Sequence, residues 1–276
     1  MSRLLAANFL RLKKNICFWG GFLFMIASGI LIPAMRYAKM THSGFHYTLE
    51  DGFFNGILFI VIFLSVFCSL FMGTEYSDGT IRNKIIIGHK RTDIYLSNLL
   101  TCLFVSLIMC FAHFAAYLCV GIPLFGFFEI DLKVILLFLF TVMILAFAFS
   151  AIFTMIAMAI SNKALVSVIC ILSTFLLIFI GSYLNNRLME PETYSAYIPA
   201  ENGAVSEAVE EKNPTYLSGK KREVYQFVFD FLPGGQLVQC TMMTAVHPYR
   251  LSAYSAVIFA GTTLVGAVLF RRKDIK

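Results

Sequence analysis

Charge is scarce in this chain, and where it occurs it is bunched. Of 276 residues, only 14% are Asp, Glu, Lys or Arg and 59% are apolar. The mean hydropathy is +0.78, and that balance excludes an ordinary soluble domain of this length. No G-x-x-x-x-G-K-[ST] loop is present, so a nucleotide is not bound in the usual way. No Cys-x-x-Cys spacing exists, and six of the seven cysteines (Cys17, Cys68, Cys102, Cys110, Cys119 and Cys170) lie in or beside apolar runs. Only Cys240 is clearly outside them, so no external disulfide framework can form within the chain, and small apolar fillers are the simplest reading. Paired carboxylates, a histidine cluster or a nucleophile near a bilayer would mark a membrane-embedded enzyme, and none is concentrated here.

What the chain has instead is long apolar runs, rich in its 29 phenylalanines. Each is long enough to cross about 30 Å of hydrocarbon at about 1.5 Å per residue. Six spans are expected, at Ile16–Pro33, Gly52–Met72, Tyr95–Val120, Val134–Ile160, Ala164–Tyr183 and Leu251–Phe270. Backbone polar groups in lipid must be satisfied within the segment, and the runs lack the alternation of a membrane barrel. The expected class is therefore an all-α polytopic membrane protein with six transmembrane helices. Small residues after the first apolar run give it some likeness to a signal peptide, but the run is long for one, and a retained first span is expected.

The basic residues set the expected orientation. Arg3, Arg11, Lys13 and Lys14 precede the first span, and Arg82, Lys84, Lys90 and Arg91 follow the second. Arg271, Arg272, Lys273 and Lys276 end the chain, whereas the opposite short loops hold only Arg36, Lys39 and Lys133. The positive-inside rule then places both termini (N-in/C-in) and the insert after span two in the cytoplasm. The net charge of +6 is thus a topology signal and not a nucleic-acid footprint.

The insert, GTEYSDGTIRNKIIIGHKRTDIYLSNLL from Gly73 to Leu100, is the most informative stretch. It is charged and amphipathic, yet flanked by apolar runs. Asp78 is expected to cap a short helix opened by Gly79 and Thr80. Ile81 and Ile85 share one face, with Arg82, Asn83 and Lys84 elsewhere, and Gly88 suits a left-handed stop. Thr92 can cap span three, with Asp93 in its first turn. Leu5, Phe9, Leu12 and Ile16 recur at helical spacing, so residues 1–15 read either as an interfacial amphipathic helix or as a basic flank that only sets topology. Residues 185–250 form an external segment, acidic at first (Glu190, Glu192, Glu201, Glu207, Glu210, Glu211). Its apolar run VYQFVFDFLPGG is too short to span and is expected as a surface or re-entrant helix broken at Pro233-Gly234-Gly235.

Other side chains weigh less. His42 and His46 stand i, i+4, but Ser43 and Gly44 argue for a loop, and no third ligand is close. His113, deep in span three, is an intramembrane ionisable group and a functional candidate by default; a neutral histidine bonded to a neighbouring helix is the plainer reading. Phe59, Phe63, Phe67 and Phe71 stripe span two, and Phe175, Phe179 and Tyr183 stripe span five. Both rows suit either a path for an amphipathic substrate or contact with lipid and packing. Ser252, Ala256 and Ala260 form a small-xxx-small row on span six.

Six spans, an amphipathic amino-terminal helix and the pattern Glu75…Gly79-Thr80…Asn83…Gly88…Arg91 resemble the permease subunits of ATP-binding-cassette exporters of the second type. The layout covers the whole chain, while only the insert carries a motif. The resemblance implies pairing with a second permease copy or homologue and with two cytosolic ATPase chains, which would hold the ATP and Mg; no cofactor is expected in this chain. It makes residues 73–94 the ATPase-coupling segment, with Glu75, Asp78, Gly79, Thr80, Ile81, Asn83, Ile85, Gly88 and Arg91 as its working residues. Spans two and five would border the path, and the segment before span six would cap its exit. The family often has a lysine near the start of span three, where this chain has Asn98. Leu232-Pro233-Gly234-Gly235-Gln236 looks like the signature of the cassette ATPases themselves, but proline replaces its phosphate-contacting serine and the expected topology puts it outside.

The expected function is a non-enzymatic permease subunit in the cytoplasmic membrane, exporting a hydrophobic or amphipathic cargo such as a peptide antibiotic or lipid. The alternatives are a non-transporting immunity or sensor protein and a lipid- or peptide-modifying membrane enzyme.

Overall fold

A computed structural model describes residues 1–198 and 207–274. Glu201 of the acidic segment and Lys276 of the basic tail lie outside the described residues. Six helices are long and apolar enough to cross a bilayer, as the apolar runs predict. The chain is an all-α polytopic membrane protein.

The amphipathic helix α1 (Ser2–Lys13) leads through Asn15, whose side chain accepts from Phe18 N at 3.0 Å, into the first span, α2 (Ile16–Ser43). Here the span outruns its expected end. Pro33 removes one backbone donor, which costs the helix a single rung, and the helix stops only at Gly44 (φ 68°). A one-turn 3-10 helix (Phe53–Asn55) then opens α3 (Gly56–Ser77), the second span. The short α4 (Thr80–Ile86) connects it to α5 (Arg91–Phe125), followed by α6 (Leu132–Ala159) and α7 (Lys163–Met189). A β-hairpin pairs β1 (Thr193–Ile198) with β2 (Glu207–Lys212), with Thr193 opposite Lys212. After it come α8 (Gly219–Phe231), α9 (Pro233–Met242) and the last span, α10 (Pro248–Arg272).

Successive spans alternate in direction. One side of the bundle, the near side, carries α1, α4 and the end of α10; the far side carries the hairpin, α8 and α9. The core is built around α3, whose Ile57, Ile60, Val61, Leu64, Phe67 and Met72 are fully buried. α2 lies along α5, α10 along α6, and α7 along α3. Small residues set the closest approaches: a β-carbon at Gly29 would meet Ala116 at 2.8 Å, and one at Gly73 would meet Lys163 at 2.8 Å. On α10 the packed face is Ser252, Ser255, Gly266 and Phe270, while Ala256 and Ala260 are exposed. The small-residue row therefore does not face the bundle beyond Ser252, whose hydroxyl pairs with Thr141 Oγ1 at 2.8 Å.

The break at Pro233 is a corner between two helices, not the end of one. Residues Pro233–Cys240 are all buried, so α9 is an interior element. Glycine makes that seat possible. A β-carbon at Gly234 would overlap the Leu177 carbonyl of α7, and one at Gly235 would overlap the Phe229 carbonyl of α8. Gln236 donates to Asp230 O at 2.9 Å and Phe231 O at 3.1 Å, and accepts from Ser255. The Gly-Gly-Gln triplet thus has a packing role, and its likeness to an ATPase signature is accidental. Gly234→Val should lower the stability of the purified chain by about 3 kcal/mol, since backbone and not a movable side chain stands in the way; thermal unfolding in detergent measures it.

The hairpin is clasped at its base. Glu190 accepts from Thr215 Oγ1, from Arg187 at 2.7 Å and from Asn213 at 3.2 Å. These bonds, led by the threonine hydroxyl, hold the Glu190 carboxyl below its ordinary range. Beside it, α8 buries Phe229 against Leu184, Leu188 and Val238, and leaves Val224, Phe227, Val228 and Phe231 exposed in a continuous i, i+3, i+4, i+7 stripe.

Candidate functional site

Glu75 sits in the last turn of α3, and its side chain has no exposure to solvent. A carboxylate there must be compensated or it would destabilise the bundle by several kcal/mol. Three elements converge to do so. Arg11 reaches from α1 and Lys84 from α4, both to Oε1, while Asn98 Nδ2 donates from α5 to Oε2 at 2.8 Å. Asn8 completes the cluster: its amide donates to Asn98 Oδ1 at 2.7 Å and Thr101 Oγ1 at 3.3 Å, and its oxygen accepts from Lys84 at 3.3 Å. Arg11 also donates to the Phe71 carbonyl and lies 3.9 Å over that ring. One carboxylate therefore fastens α1, α3, α4 and α5 together.

This arrangement corrects two expectations. The face of α1 packed on the bundle carries Leu4, Asn8 and Leu12, with Phe9 4.9 Å from the Phe104 ring, Arg11 turned inward and Ile16 exposed, so polar groups join the leucines on a face expected to be apolar. Lys84 is buried as well, although the one other charge of its helix, Arg82, faces out. The physical reason is common to both: Glu75 demands cations in a place from which water is excluded. Asn98 supplies an amide where the resemblance implies a lysine, and Lys84 supplies the charge from a different element.

The insert forms its helix with shifted caps. Asp78 is the C-cap of α3, and Gly79 (φ 67°) is the N-cap of α4 with no side-chain bond. Thr80 opens the helix. Gly88 (φ 96°) closes it: Gly88 N donates to Ile85 O at 2.9 Å and His89 N to Lys84 O at 3.1 Å, the paired bonds of a Schellman stop. Lys90, without a side-chain bond, is the N-cap of α5, so Thr92 lies inside the first turn beside Asp93. Ile81 is buried and Ile85 half-buried, which holds α4 against the bundle. Facing outward are Arg82, Asn83, Ile86 and Ile87, the two isoleucines 71% and 76% exposed. Sequence reasoning passed over Ile86 and Ile87; their signal was an Ile-Ile-Ile run of which a helix can hide only one side.

Arg91 turns away from that outward face. It donates to Arg271 O at 3.2 Å and to Lys273 O, closing the last turn of α10. Lys273 in turn donates to Tyr76 OH at 2.9 Å and Met158 O at 3.1 Å and lies 4.0 Å over the Tyr76 ring; burial pushes its ammonium down to about 8. Arg91→Gln should free the tail, and faster carboxypeptidase trimming of the purified chain, by about tenfold, measures the loss of the two bonds.

The two aromatic rows have different surroundings. Phe67 and Phe71 are buried, Phe59 and Phe63 half-buried, and Phe63, Phe67 and Phe71 stack at 5.8 and 5.2 Å up to the Arg11 guanidinium. Phe175, Phe179 and Tyr183 are exposed on the outer face of α7, beside a shallow cavity of about 530 Å³ lined also by Leu172 and Leu176. His113 is fully buried, with Nδ1 3.0 Å from Ser28 Oγ on α2 and its ring against Gly56. That is the histidine bonded to a neighbouring helix.

A family model described as "ABC-2 family transporter protein" matches residues 4–181, nearly two thirds of the chain, from α1 into α7. The match takes in Asn8, Arg11, Glu75, Lys84 and Asn98. No curated protein matches the chain.

Proposed function

The chain belongs to the ABC-2 transporter family, and we propose from that premise that it is the membrane-spanning subunit of an exporter powered by separate cytosolic ATPase chains. The observation that carries this reading is the Glu75 cluster. Arg82, Asn83, Ile86 and Ile87 offer a partner protein a mixed polar and apolar surface. Displacement of that surface passes through Lys84 to Glu75, and from there to α1, α3 and α5 at once. Asp78, Gly79, Thr80 and Gly88 set the two tight turns that keep α4 from moving independently of α3 and α5; Ile81 and Ile85 anchor it, and Arg91 adds α10. ATP and Mg belong to the partner chains.

The exposed row Phe175, Phe179 and Tyr183 on α7 supports a second permease copy or a homologue facing this helix, with a hydrophobic or amphipathic cargo, such as a peptide antibiotic or lipid, moving along it. Phe67 and Phe71 act as packing. The near side is cytoplasmic in this reading, and the membrane is the cytoplasmic membrane.

Affinity purification of the intact chain from its own membranes tests the proposal. A cassette ATPase should co-purify, and its activity in vesicles should rise with the right hydrophobic peptide or lipid. An intact chain that brings down no ATPase under conditions that preserve the bundle would overturn it. So would reaction of the exposed Lys90 with an impermeant amine reagent added outside whole cells.

A further inference from the structure

On the far side, two adjoining cavities of about 360 and 570 Å³ share one wall: Arg222, Gln226 and Asp230 of α8 and Arg250 at the start of α10. The two guanidinium groups are the notable feature. Among the described residues the Arg222 guanidinium donates to Leu188 O at 3.1 Å, which uses one of its five donors, and lies 5.5 Å from the Tyr216 ring, while that of Arg250 does no more than lie 5.9 Å from the Tyr249 ring. Among the described residues neither has a carboxylate within ion-pair distance. Two acids line the cleft: Asp230 is already committed to Gln226 at 2.9 Å and Gln239 at 3.0 Å, and Glu223, on the wall of the second cavity, is exposed. A pair of under-used guanidinium forks around a cleft suits a phosphate, which each fork can meet with two donors.

What surrounds the cleft says which phosphate. Phe227 and Tyr254 line it, and with Phe231 they form one aromatic cluster with ring centroids 5.7 to 6.1 Å apart. From there the exposed stripe Val224, Phe227, Val228 and Phe231 continues along α8, with Lys220 and Lys221 exposed at its start. Such a helix rests in the interface with its apolar side among acyl chains. Arg250 lies in the first turn of a spanning helix, and the cavity includes Met189 at the end of another, so the guanidinium groups stand at headgroup level. A soluble anion would have no use for the aromatic floor.

We propose that this cleft binds one anionic phospholipid of the far leaflet, the phosphate between Arg222 and Arg250 and the acyl chains over Phe227, Phe231 and Tyr254. The bound lipid would fix α8 against α10 and against the end of α7, where Asn185, Leu188 and Met189 line the first cavity.

The test uses the full chain in mild detergent, with short-chain phosphatidylglycerol added and counted by native mass spectrometry. One phosphatidylglycerol should bind at least about tenfold more tightly than phosphatidylcholine, and Arg250→Gln should remove that preference. Among the described residues the Arg250 side chain makes no hydrogen bond, so this variant is expected to fold; Arg250→Lys should retain part of the preference. Phe227→Ala should weaken both lipids, and Lys133→Gln, at an exposed position away from the cleft, neither. Equal binding of both lipids by the unaltered chain would overturn the proposal. Competition by inorganic phosphate or glycerol phosphate at the lipid's own concentration would reassign the cleft to a soluble anion and overturn it equally.

Discussion

Glu75→Gln is expected to cost the chain about 3 kcal/mol of stability and, under the proposed function, to abolish cargo stimulation of the proposed ATPase partner. The size follows from what the substitution strands. Arg11 and Lys84 converge on a carboxylate whose side chain is wholly buried, and a glutamine leaves two cations facing each other across a neutral amide. Breaking one side of a buried ion pair costs roughly 3–5 kcal/mol, and the partial exposure of Arg11 argues for the lower end. Stability and coupling can then be separated. Adding Lys84→Met removes one stranded charge, so the double variant should recover much of the lost stability in thermal unfolding. Stimulation should stay lost, because the polar link from α4 through Lys84 and Glu75 is gone even though the tight turns on either side of α4 remain. Full stimulation in a double variant that folds would show that force does not travel through Glu75.

The opposite behaviour is expected at the tip of α4. Ile86→Asp with Ile87→Asp should leave the unfolding temperature of the isolated permease unchanged, because both side chains already face outward. Capture of the ATPase should fall by at least about a hundredfold, since apolar anchors at the centre of an interface are each worth roughly 2 kcal/mol or more. Ile81→Ala reverses the order. Its side chain is buried, so it should destabilise the bundle by about 2–3 kcal/mol before ATPase capture suffers. Undiminished capture by the double aspartate variant, measured on folded protein, would place the ATPase contact elsewhere.

The features legible beforehand were those with local causes. Six spans follow from run length alone, because lipid leaves the backbone no other option. Gly79 and Gly88 announced the turns around α4, since each adopts a positive φ that other residues rarely tolerate. What stayed hidden was set by partners far along the chain. A helical wheel sorts side chains between lipid and water, yet Arg11 and Asn8 turn inward to partners 64 and 90 residues away. Lys84 looked like a solvent-facing charge for the same reason. The Asp78 cap failed by one residue because the preceding span runs on to Ser77 and takes Asp78 as its own end. α9 escaped notice because ten residues of modest apolarity resemble a loop; its burial depends on glycine contacts with α7 and α8 that no periodicity reports. On α7, the exposed aromatic row was visible as a pattern, but only the packed bundle distinguishes it from the buried row on α3.

The tether at the end of α10 has a mechanical corollary. That helix is pinned at its near end through Arg91 and Lys273 and at its far end through Ser252 to Thr141 and Ser255 to Gln236. Its 25 residues make a rod about 37 Å long. A rod hinged at both ends does not bend when one hinge is pulled; it carries the pull to the other. Tilting of α5 at the near side would therefore reappear as a shift of α9 and α8 at the far side, along the full length of the bundle.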